Sequence, residues 1–298
     1  NGKEYRVFDT AYWDVDQRLA YMDEQGVDLQ VLSPLPELLS YWLAADTAEH
    51  VARFTNDAMA AAVAKGGGRL AALGMLPLQD LDRALPMVAE LARAGLKGIM
   101  VGSNINGVSI ADARFDPLLA ELVKHDLAMM VHGVRPAGTE RLLGSPIMGA
   151  VIGVPADAAM AVASFIMTDV MGRHPDLRLG FVHGGGSFGS MLERMDHVWQ
   201  HFPEMRTGEV SPVDYVRRFY FDTVVFSGKY LTYLIKAYGP DGLVAGSDGP
   251  TAIGQTGLDG FVRAASPDAE TAEKILWRNG ARFLKLDVEG ALAARAAA

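Results

Sequence analysis

The stretch "RLGFVHGGGSFGSMLERMDH" (residues 178–197) decides how this chain folds. An apolar run ends on His183 and is followed at once by three glycines and then a helix-like pattern. Gly184, Gly186 and Gly189 fit the spacing G-x-G-x-x-G, which opens a dinucleotide-binding unit when a tight βαβ context surrounds it. That context is absent. "SFGSMLERMDHVWQHF" leads into the polar stretch "PEMRTGEVSP", and the next strand-like run starts only at Phe219. The motif also lies past mid-chain, whereas the fingerprint usually opens its domain. The glycines are better explained as room for close backbone approach beside His183. A helix N-terminus starting beneath His183 is expected to favour an anionic substrate.

Working outward, "GFVH" is part of one of seven short apolar runs separated by helical patterns: "VDLQVLS" (27–33), "RLAALGMLP" (69–77), "LKGIMVGS" (96–103), "LAMMVHG" (127–133), "LRLGFVHG" (177–184), "FYFDTVV" (219–225) and "GLVAGSDGP" (242–250). They are continuous rather than alternating, as in parallel strands covered on both faces. Asp80 is placed to cap the helix of "LDRALPMVAELARAG" and Gly95 to stop it. Asp116 and Pro117 open another helix, and a final one covers about 269–284. Repeated βα units predict an α/β fold, a TIM (β/α)8 barrel ahead of an open doubly wound sheet. Eight strands are needed and seven are visible, so the first is expected upstream of Asn1. One domain over residues 1–298 is expected, with residues 1–14 an extended excursion and 287–298, "GALAARAAA" at their end, a loosely attached tail.

Composition narrows the function classes. The 298 residues carry a net charge of −9, half are hydrophobic and none is cysteine. An acidic chain without a dense basic cluster is a poor partner for nucleic acid or an anionic membrane. The most apolar run, residues 148–171, is interrupted by Pro155, Asp157 and Asp169, and no bilayer span is expected. The lack of cysteine rules out disulfides and thiolate metal sites and fits a reducing cytoplasm.

In a parallel barrel the chemistry collects at the C-terminal ends of the strands. "MMVH" ends on His132, "GFVH" on His183 and "VAGSD" on Asp248. Singly, each has a structural explanation: a hydrogen-bonded core histidine, or a turn aspartate. Jointly, two imidazoles and a carboxylate at corresponding strand ends suit Zn²⁺ or a similar divalent ion such as Mn²⁺. His50, His125, His174, His197 and His201 fall in helical or loop patterns and read as surface or structural residues.

"FVHGGGSFGSMLERMDH", "MVHG", "GSDGP", "ILWRNGARFLKL" and "WDVDQRLAYMDEQGVDLQVLSPLPELLSYW" together resemble the amidohydrolase superfamily. Within it they resemble the metal-dependent decarboxylase branch typified by aminocarboxymuconate-semialdehyde decarboxylase. The resemblance runs from about Gly2 to Leu286. It implies a distorted TIM barrel with one divalent metal, usually zinc, held by a first-strand His-x-His pair, by His132 and by Asp248. It further implies His183 as acid/base and Arg194 as a residue reaching a neighbouring subunit's substrate carboxylate, hence a homodimer. Beyond its role as ligand, Asp248 is expected to be able to relay a proton. No His-x-His occurs in this chain, so the pair is expected upstream of Asn1. The family's substrate-binding arginine aligns with Asp9, which puts the aminocarboxymuconate substrate in doubt. The implied activity is non-oxidative decarboxylation of a small unsaturated or aromatic carboxylic acid. The alternatives are a hydrolase or hydratase on the same barrel, or a metal-free non-catalytic homologue.

Overall fold

The computed structural model describes residues 8–296. Its strands are β1 (Gln30–Leu32), β2 (Leu70–Ala72), β3 (Gly98–Gly102), β4 (Asn104–Ile105), β5 (Val108–Ser109), β6 (Ala128–His132), β7 (Leu179–Phe181), β8 (Tyr220–Asp222) and β9 (Leu243–Val244). All seven apolar runs form strands, and these seven make the wall. β1 pairs with β2, and β3, β6, β7, β8 and β9 follow one another in a second parallel sheet. A parallel bridge from Gly74 to Ile99 joins the two, so the strands stand side by side in chain order. That order, with helices between consecutive strands, is the wall of a distorted (β/α)8-type barrel.

The other two strands, β4 and β5, form a small antiparallel hairpin outside the wall. Its turn is Asn106-Gly107, both at positive φ, which is the dipeptide such a turn requires. The signal lay in "NINGVS", in the shadow of the longer run before it.

The helices are α1 (Val15–Gln25), α2 (Ala45–Lys65), α3 (Leu81–Arg93), α4 (Asp116–Lys124), α5 (Val154–Met167), α6 (Val170–Arg173), α7 (Leu192–His201), α8 (Pro212–Tyr215), α9 (Gly228–Tyr238), α10 (Leu258–Ala265), α11 (Ala269–Glu273), α12 (Asn279–Leu284) and α13 (Val288–Ala296). Side-chain caps start several of them: Asp14 accepts from the N–H groups of Asp16 and Gln17, Asp80 from Arg83, Ser227 from Tyr230 and Asp268 from Thr271. Asp116 is the first residue of α4 rather than its cap. Buried Leu, Ile, Val, Met and Phe from strands and helices merge into one main core.

Three expectations change. Of the expected tail 287–298, the described part, to residue 296, is not loose: α13 buries Ala291, Asp287 accepts the Gly290 N–H at its start, and Arg295 pairs with Asp28, while residues 297–298 lie outside the described residues. The start is not extended where it is described: Asp9 accepts the Ala11 N–H at 2.8 Å and closes a 3-10 turn at Thr10–Tyr12, while residues 1–7 lie outside the described residues. The helical run Gly149–Met167 is long and apolar enough to cross a membrane by length and composition. In this fold its inner residues Ala158, Ala161, Val162 and Phe165 pack into the core, and Asp157 is buried in a polar network.

Candidate active site

His132 is the last residue of β6 and His183 the second residue after β7. Neighbouring parallel strands bring their rings to 5.0 Å between centroids, nearly perpendicular. His132 Nδ1 lies 2.7 Å from its neighbour's carbonyl, Gly133 O. A carbonyl only accepts, so Nδ1 carries the proton and Nε2 keeps its lone pair. Burial lowers the His132 pKa, and burial together with the neighbouring His132 lowers that of His183 to about 3. Both imidazoles are therefore neutral at pH 7. His183 Nδ1 is buried with no hydrogen-bond partner among the described residues. Orphaned polar atoms of this kind call for a ligand, an ion or a catalytic role.

The loop that carries His183 is unusual. His183, Gly184, Gly185 and Gly186 have φ of 57°, 60°, 74° and 65°. Left-handed backbone costs histidine energy and persists only where the surroundings hold it. The holding group is Asp222, at the end of β8, whose buried carboxylate accepts the Gly184 N–H at 3.1 Å and the Val224 N–H at 3.0 Å. Tyr238 adds a second hold, donating its hydroxyl to Gly184 O. Gly186 lies against α5 so closely that a Cβ there would stand 1.9 Å from Pro155 O. Burial raises the Asp222 pKa to about 7, against the pull of its backbone donors, and the Asp248 charge adds to the rise.

The anion-binding helix N-terminus expected beneath His183 is not there. α7 starts only at Leu192, and the four N–H groups directly after His183 are taken: Gly184 by Asp222, Gly185 by Val182 O, Gly186 by His183 O and Ser187 by Pro155 O.

Asp248 follows β9 on the same side of the wall, with φ 55° and exposed, and accepts from the Thr251 hydroxyl at 3.1 Å. Its charge bears on Asp222 and Tyr21. Arg194 is elsewhere. It is exposed on α7 and lines an outer groove of about 490 Å³ with Ala159, Met160, Ala163, Met191 and Met195. Asp9 is engaged as a turn cap and its charge faces Arg18.

A second buried carboxylate, Asp157 in the first turn of α5, ties the ends of β3 and β6 together. It accepts from the Ser103 hydroxyl, from the Val134 N–H at 3.2 Å and from Asn104 Nδ2 at 3.4 Å. Sequence reading missed both Asp222 and Asp157. The aspartate in "FYFDTVV" sat at a strand end like the two histidines and was open to the same reasoning. Asp157 lay in an apolar helix and signalled nothing but an interruption.

Imidazole nitrogen and carboxylate oxygen are donors a divalent ion takes, and the His132 lone pair fits such a group, while the orphaned His183 Nδ1 beside it fits a proton-handling role. Among the described residues, however, no three His, Cys, Asp or Glu side chains are gathered to hold one, so Asp248 does not join the two histidines in a single cluster.

The amidohydrolase family profile matches residues 7–286. The chain is 30% identical over 291 residues to the 2-amino-3-carboxymuconate-6-semialdehyde decarboxylase of Dictyostelium discoideum, covering 96% of this chain and 81% of that one. Among solved structures, 5-carboxyvanillate decarboxylase from Sphingomonas paucimobilis superposes with a TM-score of 0.82 at 26% identity, covering 91% of this chain and 82% of that one. Dihydroxybenzoic acid decarboxylase from Polaromonas sp. JS666, solved with bound manganese, shares the fold with a TM-score of 0.81 at 21% identity, covering 91% and 86%.

Proposed function

The chain belongs to the amidohydrolase family, and from that premise we propose that it is a metal-dependent, non-oxidative decarboxylase of a small unsaturated or aromatic carboxylic acid. The observation that carries this reading is the pair of adjacent neutral imidazoles, one with a fixed tautomer and the other with a buried nitrogen lacking a partner among the described residues. The similarity to decarboxylases over nearly the whole chain supports it.

His132 Nε2 and the Asp248 carboxylate are the side chains we assign to the metal. Zinc is our first choice and manganese the second, since both accept nitrogen and oxygen donors. A divalent ion bound there supplies stabilisation of the negative charge that develops on the substrate.

Loss of CO2 from a carboxylate, with hydrogen taking its place, consumes one proton per turnover. His183 is the group placed to hold and deliver it. Its ring is neutral at rest because burial disfavours the charged form, so it holds a proton only once negative charge develops beside it. Asp222 fixes the backbone from which that ring projects, and Asp248 is the second candidate for relaying a proton.

Association of two copies belongs to the same reading. The groove between α5 and α7 is apolar, with Met160 and Met191 more than half exposed, and Arg194 projects from it with no acidic partner among the described residues. A second copy seated there covers the methionines and offers Arg194 to its neighbour.

The test is CO2 release from unsaturated and aromatic acids by metal-loaded protein, with metal content measured alongside. His183→Ala is expected to keep its metal and lose turnover by orders of magnitude. Near-wild-type turnover in that variant, or consumption of the acids without CO2, overturns the assignment.

A further inference from the structure

Three residues beyond His132 stands Arg135, which the mechanism above does not use. It is exposed, its backbone is left-handed at φ 45°, and no carboxylate pairs with it among the described residues. Its guanidinium lies over the Trp42 ring, 4.9 Å from the centroid. Trp42 belongs to the loop after β1, on the same end of the wall; the hydroxyl of Tyr41, its neighbour, accepts the Gly102 N–H at the end of β3.

The placement is built. Val134, immediately before Arg135, has its N–H held by Asp157 and Ser103 and its carbonyl held by Asn104 Nδ2 at 2.8 Å. The buried Asp157 network thus clamps the residue from which Arg135 departs, and Pro136 restricts the chain beyond it. A left-handed arginine on a pinned backbone, stacked on an indole, is a cation held in one orientation at the mouth. Stacking occupies one face of the guanidinium and leaves its edge donors for a planar, two-oxygen acceptor.

Which anion it takes follows from the reaction proposed above. A guanidinium that gripped the carboxylate about to leave would stabilise the ground state and slow the step. The group it can hold with benefit is one that stays charged throughout. We propose that Arg135, oriented by Trp42, binds a second carboxylate that the substrate keeps after CO2 departs, so that this site selects diacids over monoacids. This rests on the decarboxylase reading for the identity of the leaving group, but the binding preference stands apart from turnover.

The experiment is calorimetric titration of metal-loaded protein with isophthalate and with benzoate. Wild-type protein is expected to bind isophthalate at least roughly tenfold more tightly, the scale of one charge-assisted bidentate contact. Arg135→Gln brings the ratio close to one, and Arg135→Lys keeps the charge but loses most of the preference. Trp42→Leu, which keeps the Arg135 charge, lowers the ratio by releasing the orientation of the guanidinium. A wild-type ratio near one, or an unchanged ratio in Arg135→Gln, overturns the proposal. Absence of CO2 release with the ratio intact counts against the decarboxylase reading alone.

Discussion

Asp222→Asn isolates the electrostatic cost of holding the His183 loop. The amide oxygen of the introduced side chain can still accept the Gly184 and Val224 N–H groups, so the substitution removes charge with little loss of geometry. In the folded protein the Asp222 carboxyl titrates at about 7; in the unfolded chain it returns to its ordinary value of 3.8. The folded state therefore binds more protons between these values, and this group's contribution to stability falls as pH rises through that window. At about 1.4 kcal/mol per pH unit, the buried charge costs roughly 1.5 kcal/mol at pH 5 and about 4 kcal/mol by pH 8. His183 acts in the opposite sense: its depressed pKa makes stability fall as pH drops below its unfolded value of 6.5. The difference between variant and wild type cancels the His183 part. Urea unfolding at pH 4, 5, 6, 7 and 8 should show the Asp222→Asn variant gaining on wild type steadily and levelling off near pH 8. A difference that stays flat across the series refutes the account of Asp222 as a buried carboxylate working against its own charge.

Gly186→Ala should destabilise by roughly 3 kcal/mol or more, measured by denaturant midpoint, because the new Cβ meets the Pro155 carbonyl and φ is positive. Asp157→Ala leaves the Ser103 hydroxyl without its buried acceptor and the Val134 N–H with Ser103 Oγ alone, and should cost about 1–3 kcal/mol in the same assay. His132→Ala should leave the protein folded by circular dichroism but far below stoichiometric metal by elemental analysis. Met160→Asp, which places a charge in the α5–α7 groove, should shift the mass measured by light scattering from two copies to one.

The seven wall strands were legible because parallel strands buried on both faces leave continuous apolar runs, as in "LAMMVHG" and "LRLGFVHG". Their limits were not. β7 is only Leu179–Phe181, because His183 turns left-handed immediately afterwards and ends the ladder. His132 and His183 were legible as a pair because strand ends in register converge on one mouth. The roles of Asp222, Asp157 and Arg135 were hidden, since each depends on what a side chain meets across the fold: two backbone N–H groups, a clamp between strands, an indole face. The α13 segment misled for a related reason. Alanine-rich composition says nothing about whether one small face is covered, and here Ala291 is.

Helix α5 has a consequence for how this protein can change over time. Its first turn carries Pro155, against which Gly186 is wedged, and Asp157, which pins the Arg135 platform; its flank carries Met160 and Ala163 on the outer groove. One rigid rod is thus shared between the catalytic mouth and the outer surface. A drift of about an ångström along its axis would collide with the His183 loop and slacken the Val134 clamp together. Substitutions that retune association through this helix are therefore read out at the mouth as well, and the two properties cannot drift independently.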